Sequence, residues 1–390
     1  MAEVSRWMRL KQRIRIELHY LLTFHSTDRL WQMPVAAALA IGLPLLVGVY
    51  FGRLDYGLVS SLGGLVFLYV PETPLYHRML KLMACAFGMT ACYTLGLISQ
   101  FFPVFMVPSL IFISVLATMV SRFYGLGPPG SLFFITAAGI AAYTPMDGRS
   151  VPLMIGLFSM GTILACAIAF FYSVNVLRIR APHRVLPWPR PTFGFVVFDA
   201  VVIGFFIGLS LAVAQLLQLE KPYWVPLSCL AVIQGASVRD IWDKQLHRVL
   251  GTAIGMLLAW FLLEQPLNQW SIALVMMLLA FLIEFMVVRH YVVAAIFFTP
   301  LTILIAEAAS LGETSVDTLI EARFYDTLLG CLFGLLGGIC IHSKRFRLKA
   351  GKQLRRIIPN RWLNNLAADE AEIEDLSASK HKAKTTPDNK

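Results

Sequence analysis

Apolar residues recur along this chain in runs too long for one face of a soluble helix. Met33 to Phe51 carries no charge. Leu82 to Ser121 is also uncharged and is long enough for two crossings, with Pro103 and Pro108 placed to break it. Ser150 to Leu177 and Ala200 to Leu219 repeat the pattern. A bilayer crossing needs about 20 apolar residues as helix. The pattern predicts twelve apolar segments, at about 33–51, 56–70, 82–102, 104–121, 129–146, 151–176, 195–219, 222–236, 249–263, 269–287, 291–307 and 320–341. Two of them, 56–70 and 222–236, are short. At 1.5 Å per residue they barely cross, and the pattern leaves open whether they span or re-enter. Each is expected to be followed by a hydrophilic loop of about ten residues, after which Lys81 or Arg248 opens the next helix.

Composition agrees with a membrane chain. Apolar residues make up 57% and charged residues 14% of the sequence, against roughly 25% charged in soluble proteins. The net charge of +10 suggests nucleic acid until it is mapped onto the segments. With a cytoplasmic N-terminus, 29 of the 33 Lys and Arg fall in cytoplasmic connections or ends. Arg53, Arg149 and Lys221 fall on the opposite side, and Arg323 lies inside the last segment. That asymmetry is the positive-inside rule, so no nucleic-acid partner is expected. The first 30 residues mix Trp7, Met8, Leu10 and Ile14 with arginines and read as an interfacial amphipathic helix; they show no cleavable signal peptide. The tail after Lys344 begins basic, turns acidic and ends polar, and is expected to be disordered.

The chain also repeats itself. The stretch beginning at Tyr56 aligns without a gap to that beginning at Tyr223, an offset of 167, through Met89 and Met256. The offset places Lys81 on Arg248 and Gly88 on Gly255, and later Arg122 on Arg289 and Tyr124 on Tyr291. Six segments is an even number, so both copies insert the same way up. The expected fold is an all-α polytopic membrane protein, with about twelve transmembrane segments in two six-helix tandem repeats around a pseudo-twofold axis along the membrane normal. The expected parts are an interfacial helix at 1–30, a first repeat at 31–177 and a basic, Pro-rich cytoplasmic linker at 178–194. A second repeat at 195–343 and a cytoplasmic tail at 344–390 complete the chain.

Ionisable groups inside such segments are expensive and mark pathways. Arg248, Gly251, Thr252 and Gly255 share a helix face and could hold an anion at the cytoplasmic mouth; equally, Gly251 and Gly255 form a G-x-x-x-G packing seam. Arg323, Asp326 and Gly330 share a face of the last helix. Asp326 reads as a proton-titrating carboxylate coupled to transport, or as a simple i, i+3 partner of Arg323. Tyr223 and Trp224 read as an interfacial aromatic pair or as a stacking surface for an aromatic substrate. Asp199 and Glu284 read as snorkelling residues near helix ends. The six cysteines lie in apolar runs with no metal-ligand spacing. No enzyme motif and no Walker loop appear, so neither metal nor cofactor is expected.

Two stretches, "KPYWVPLSCLAVIQ…HRVLGTAIG" and "RFYDTLLG", resemble the fusaric acid resistance and aromatic acid exporter family of bacterial inner-membrane proteins. The positions that carry the resemblance are Trp224, Arg248, Gly251, Thr252 and Gly255, then Arg323, Asp326, Thr327 and Gly330. In the first copy Gly57 stands for Trp224, Lys81 for Arg248, Ala84 for Gly251 and Cys85 for Thr252. Many relatives carry a large cytoplasmic domain that is missing from this sequence. The resemblance implies efflux of small, often aromatic, organic acids across the inner membrane, sometimes with a periplasmic adaptor protein. The family is also similar to plant aluminium-activated malate transporters, which are anion channels. The leading expectation is a proton-coupled exporter of small organic anions, with Arg248 and Lys81 attracting the anion and Asp326, beside Arg323, coupling. A passive anion channel and a scaffold subunit of an envelope assembly are the alternatives. Substrate identity and oligomeric state stay open.

Overall fold

The structure is a computed structural model that describes residues 29–144, 147–185, 194–235, 237–307, 316–343, 345–347 and 349. The expected interfacial helix up to residue 28, the middle of the linker and the tail beyond 349 lie outside the described residues. Twelve α-helices and no strand occur among the described residues. They are α1 (Gln32–Tyr50), α2 (Leu54–Gly64, extended by a 3₁₀ turn Leu65–Tyr69), α3 (Leu75–Ser99), α4 (Met106–Phe123), α5 (Leu132–Tyr143) and α6 (Val151–Ile179). Then come α7 (Asp199–Leu216), α8 (Trp224–Ile233), α9 (Val238–Leu263), α10 (Gln269–Met286), α11 (Tyr291–Glu307) and α12 (Val316–His342).

Eight of these helices are long and apolar enough to cross a membrane; α2, α5, α8 and α11 are apolar but shorter. The chain is a multi-pass α-helical membrane protein. Two helices sit at the centre. The apolar window of α1 is 67% buried and that of α7 is 61% buried, against 28–44% for the other long helices. The outer helices turn large apolar side chains outward, such as Phe87 of α3, Phe171 of α6, Phe261 of α9 and Leu332 of α12. Lipid tails are as apolar as these side chains, so such exposure costs nothing in a bilayer.

The helices pack in matched pairs. α3 packs on α5 and α9 on α11; α2 packs on α6 and α8 on α12; α1 packs on α10 and α4 on α7. Small residues make the seams close: a side chain at Gly204 or Gly208 of α7 would run into Val115 or Ile111 of α4, as expected where dispersion must hold apolar helices together.

Two ion pairs pin the α1–α10 and α4–α7 contacts at one end of the bundle. Arg29 Nη2 donates to Glu284 Oε2 at 2.9 Å. Arg122 Nη1 donates to Asp199 Oδ2, and Arg347 Nη2 stands 3.3 Å from Asp199 Oδ1. Asp199 and Glu284 therefore do not snorkel; both are buried and paired. At the other end Arg53 bonds Asp55 through two side-chain hydrogen bonds, which hold that carboxyl below its usual range.

The loops expected before Lys81 and Arg248 are helical instead. α3 starts at Leu75 and α9 at Val238, so both basic residues lie inside helices. In α9 the polar run is amphipathic at its start: Ile241 is fully buried against Gly235 and Gly338, while Trp242 is half exposed. One apolar anchor per turn was enough to extend the helix into polar sequence.

Candidate functional site

Arg248, Arg323 and Asp326 lie where α8, α9 and α12 pack together, with α11 against α9. Arg248 lies ten residues into α9, about 15 Å along the axis. It is buried among the helices. Arg323 lies seven residues into α12. Both are buried, with 8% and 5% of their surface exposed, and Asp326 is 2% exposed. Arg248 and Asp326 are the two charged groups whose fields act on the Arg323 guanidinium. Asp326 also feels Glu220, from the turn before α8.

The Arg323 guanidinium is held on one side only. Its Cζ sits 3.5 Å from the centroid of the Trp224 ring, and Nη2 donates to Thr302 Oγ1 of α11 at 2.9 Å. Its Nε and Nη1 are buried without a hydrogen-bond partner among the described residues. The same is true of Arg248 Nε, whose Cζ stands 5.1 Å from the Phe298 ring centroid. No salt bridge joins Arg323 to Asp326 among the described residues. The i, i+3 spacing therefore places the carboxylate nearby without neutralising the arginine.

This arrangement is costly unless something answers it. A buried polar group left unsatisfied costs about 1–3 kcal/mol, and more when charged. Trp224 and Thr302 fix the plane of Arg323, so its free N–H edge has a set direction. Among the buried groups alone, with Glu220 exposed, two guanidinium groups and one carboxylate leave an excess of one positive charge, with planar, forked donors suited to a carboxylate or phosphate.

The other residues singled out by sequence fall into three groups. Thr252 and Thr327 are buried beside the arginines on α9 and α12, Thr327 bonding back to Arg323 O at 2.9 Å. Tyr223 is buried, with its ring 4.9 Å from Trp224 and 5.6 Å from Tyr143 of α5. One face of Trp224 is taken by Arg323 and is closed to a substrate ring. Gly251 and Gly255 face α11: a side chain there would meet Ala295, or Ile296 O and Thr299. Gly330 likewise admits Val225 O and Ser228 of α8. These three glycines serve helix contact.

Lys81 is not part of the cluster. Its Nζ donates to Leu126 O at 3.1 Å, within the first half. At the offset of 167, Arg323 falls on Gly156 and Asp326 on Ser159. The core of the first half holds stacked Tyr93 and Phe158 rings instead, 4.3 Å apart. Thr302, Phe298 and Glu220 were not foreseen; the only signal for the first was a pair of threonines around Pro300 in an otherwise apolar run.

Residues 200–337 match the family model described as "Fusaric acid resistance protein-like". A relative in Bacillus subtilis (strain 168), "Uncharacterized membrane protein YvaC", is 30% identical over 145 residues. That alignment covers 37% of this chain and 23% of the relative, so the chain spans about a quarter of that protein's length. No solved structure matches. The second half of this chain is therefore similar in sequence to the fusaric acid resistance protein-like family, over the stretch that contains Trp224, Arg248, Arg323 and Asp326.

Proposed function

We propose that this protein is a secondary transporter that exports small organic anions across the bacterial inner membrane, coupled to protons through Asp326. The observation that carries this reading is the pair of buried arginines, Arg248 and Arg323, with three nitrogens lacking partners among the described residues. Ionisable groups at membrane depth are kept where they act on substrates or ions. An anion held between the two guanidinium groups would satisfy those donors.

Asp326 sets the charge of the site. Ionised, it leaves the cluster with one excess positive charge; protonated, it leaves two. A proton-driven exporter carries protons inward in exchange for the anion, so Asp326 would hold the proton on the step that returns the site without its anion. An inside-negative potential also drives an anion outward, by about 2.3 kcal/mol per charge per 100 mV. The aromatic preference implied by the resemblance would have to be met by Phe298 or Tyr223, because Arg323 covers the near face of Trp224.

Two tandem six-helix copies, twelve segments in all, complete the proposal. It is supported by the matched pairings, in which each named contact of the first six helices has its counterpart six helices later. Both termini then lie on the cytoplasmic side, with the basic ends that carry Arg29, Arg122 and Arg347. The copies differ in function: the second holds the anion, and the first frames it through the α1–α10 and α4–α7 contacts.

Equilibrium binding of radiolabelled benzoate to the purified chain tests the site. Arg248→Gln and Arg323→Gln should each abolish saturable binding. Asp326→Asn should tighten it about tenfold, the order expected for removing one negative charge a few ångströms away in a partly screened interior. Unchanged affinity in both arginine variants would overturn the assignment.

A further inference from the structure

A cationic cavity lies at the basic end of the bundle, away from Arg248 and Arg323. It has a volume of roughly 200 Å³ and opens between the starts of α1 and α3 and the ends of α2 and α6. Arg29, Arg78, Arg180 and His183 line it, with Glu72 as the single acidic group. Arg29 is answered by Glu284.

Arg78 is the built part of this site. It is 4% exposed. Its Nε donates to Thr73 O at 2.5 Å, which fixes the guanidinium plane at the first turn of α3. Its two terminal nitrogens have no hydrogen-bond partner among the described residues, and Arg78 lines the cavity. Met33, Leu68 and Val176 supply an apolar floor, and Tyr172 stands beside Arg78. The chain leaving α6 closes the rim, where His183 N donates to Glu72 O at 2.9 Å and His183 Nδ1 lies 3.1 Å from Glu72 Oε2.

We propose that this cavity binds a phosphate group, presented by an anionic phospholipid of the inner leaflet or as a free phosphate. Forked guanidinium donors match phosphate oxygens. The volume is below the range of about 300–1,000 Å³ typical of pockets for drug-sized molecules, which suits a headgroup phosphate with its first carbons. Basic pockets between transmembrane helices on the cytoplasmic side are where anionic headgroups dock. A bound phosphate would tie α1, α3 and α6 together beside the Arg29–Glu284 pair, away from the transport site.

Thermal unfolding of the full chain in neutral detergent tests this, with short-chain phosphatidylglycerol, phosphatidylcholine of equal chain length, or inorganic phosphate as the probe. Phosphatidylglycerol should raise the midpoint temperature saturably, and phosphatidylcholine should not. The concentration needed should rise about fivefold in Arg180→Gln, and the shift should vanish in Arg78→Gln. Glu72→Gln, at an exposed position, should lower the concentration needed, which keeps the test independent of whether Arg78→Gln folds. A shift with phosphate that competes with the lipid assigns the headgroup as the source; a shift with phosphate alone assigns the free anion. Equal shifts with the two lipids and none with phosphate, or a response that Glu72→Gln and Arg180→Gln leave unchanged, would overturn the proposal.

Discussion

An arginine buried among membrane helices stays charged only when its surroundings answer the charge, and Arg323 is answered by an indole face, one threonine and a nearby carboxylate that forms no salt bridge with it. Trp224 supplies the largest of these contacts. A desolvated cation–π contact is worth about 2 kcal/mol. Trp224→Leu should therefore weaken benzoate binding by roughly thirtyfold, while Trp224→Phe keeps most of the affinity; equilibrium dialysis reads both. Equal affinity in Trp224→Leu and the parent would mean that the indole does not orient Arg323. Arg323→Lys keeps the charge and loses the fork, and should cost about tenfold in the same assay. Arg248, Arg323, Asp326 and Trp224 were legible from sequence because charge and indole stand out in apolar runs. Thr302 and Phe298 were not, because threonine and phenylalanine are ordinary in such helices and only the fold brings Thr302 to Arg323 and Phe298 to Arg248. Lys81 bonds Leu126 O within the first half, and position 156, which the offset of 167 aligns with Arg323, is glycine.

At the scale of the helix, small residues and ion pairs divide the work. Gly330 admits the α8 backbone at Val225 O, so Gly330→Leu should force α8 and α12 apart. Overpacking of this kind costs about 1–3 kcal/mol, visible as a lower midpoint of thermal unfolding in detergent. Asp199→Asn should remove the carboxylate charge that Arg122 and Arg347 face at the α4–α7 contact and cost ~3 kcal/mol in the same measurement. If that variant unfolds with the parent, the pair is incidental to the joint. Helix positions were largely legible, since α10 and α11 run close to the apolar segments that announced them. The starts of α3 and α9 were not. Hydropathy registers where a helix enters lipid, and it is silent on turns that continue beyond, where Pro74 caps one helix and Ile241 anchors the other.

For the whole molecule, matched helix pairings surround a buried arginine cluster in the second half. A passive channel would need the arginines but not the carboxylate. The proton is thus the most direct test. Inside-out proteoliposomes with an acidic lumen reproduce the gradient that an exporter would use, and passive redistribution of a weak acid runs the opposite way, toward the alkaline exterior. The measurement is radiolabelled benzoate entering that lumen. The account predicts accumulation above the outside concentration and above protein-free vesicles, lost in Arg248→Gln and in Asp326→Asn even though the latter still binds benzoate. Flux that only runs downhill and survives Asp326→Asn would contradict it and leave a channel.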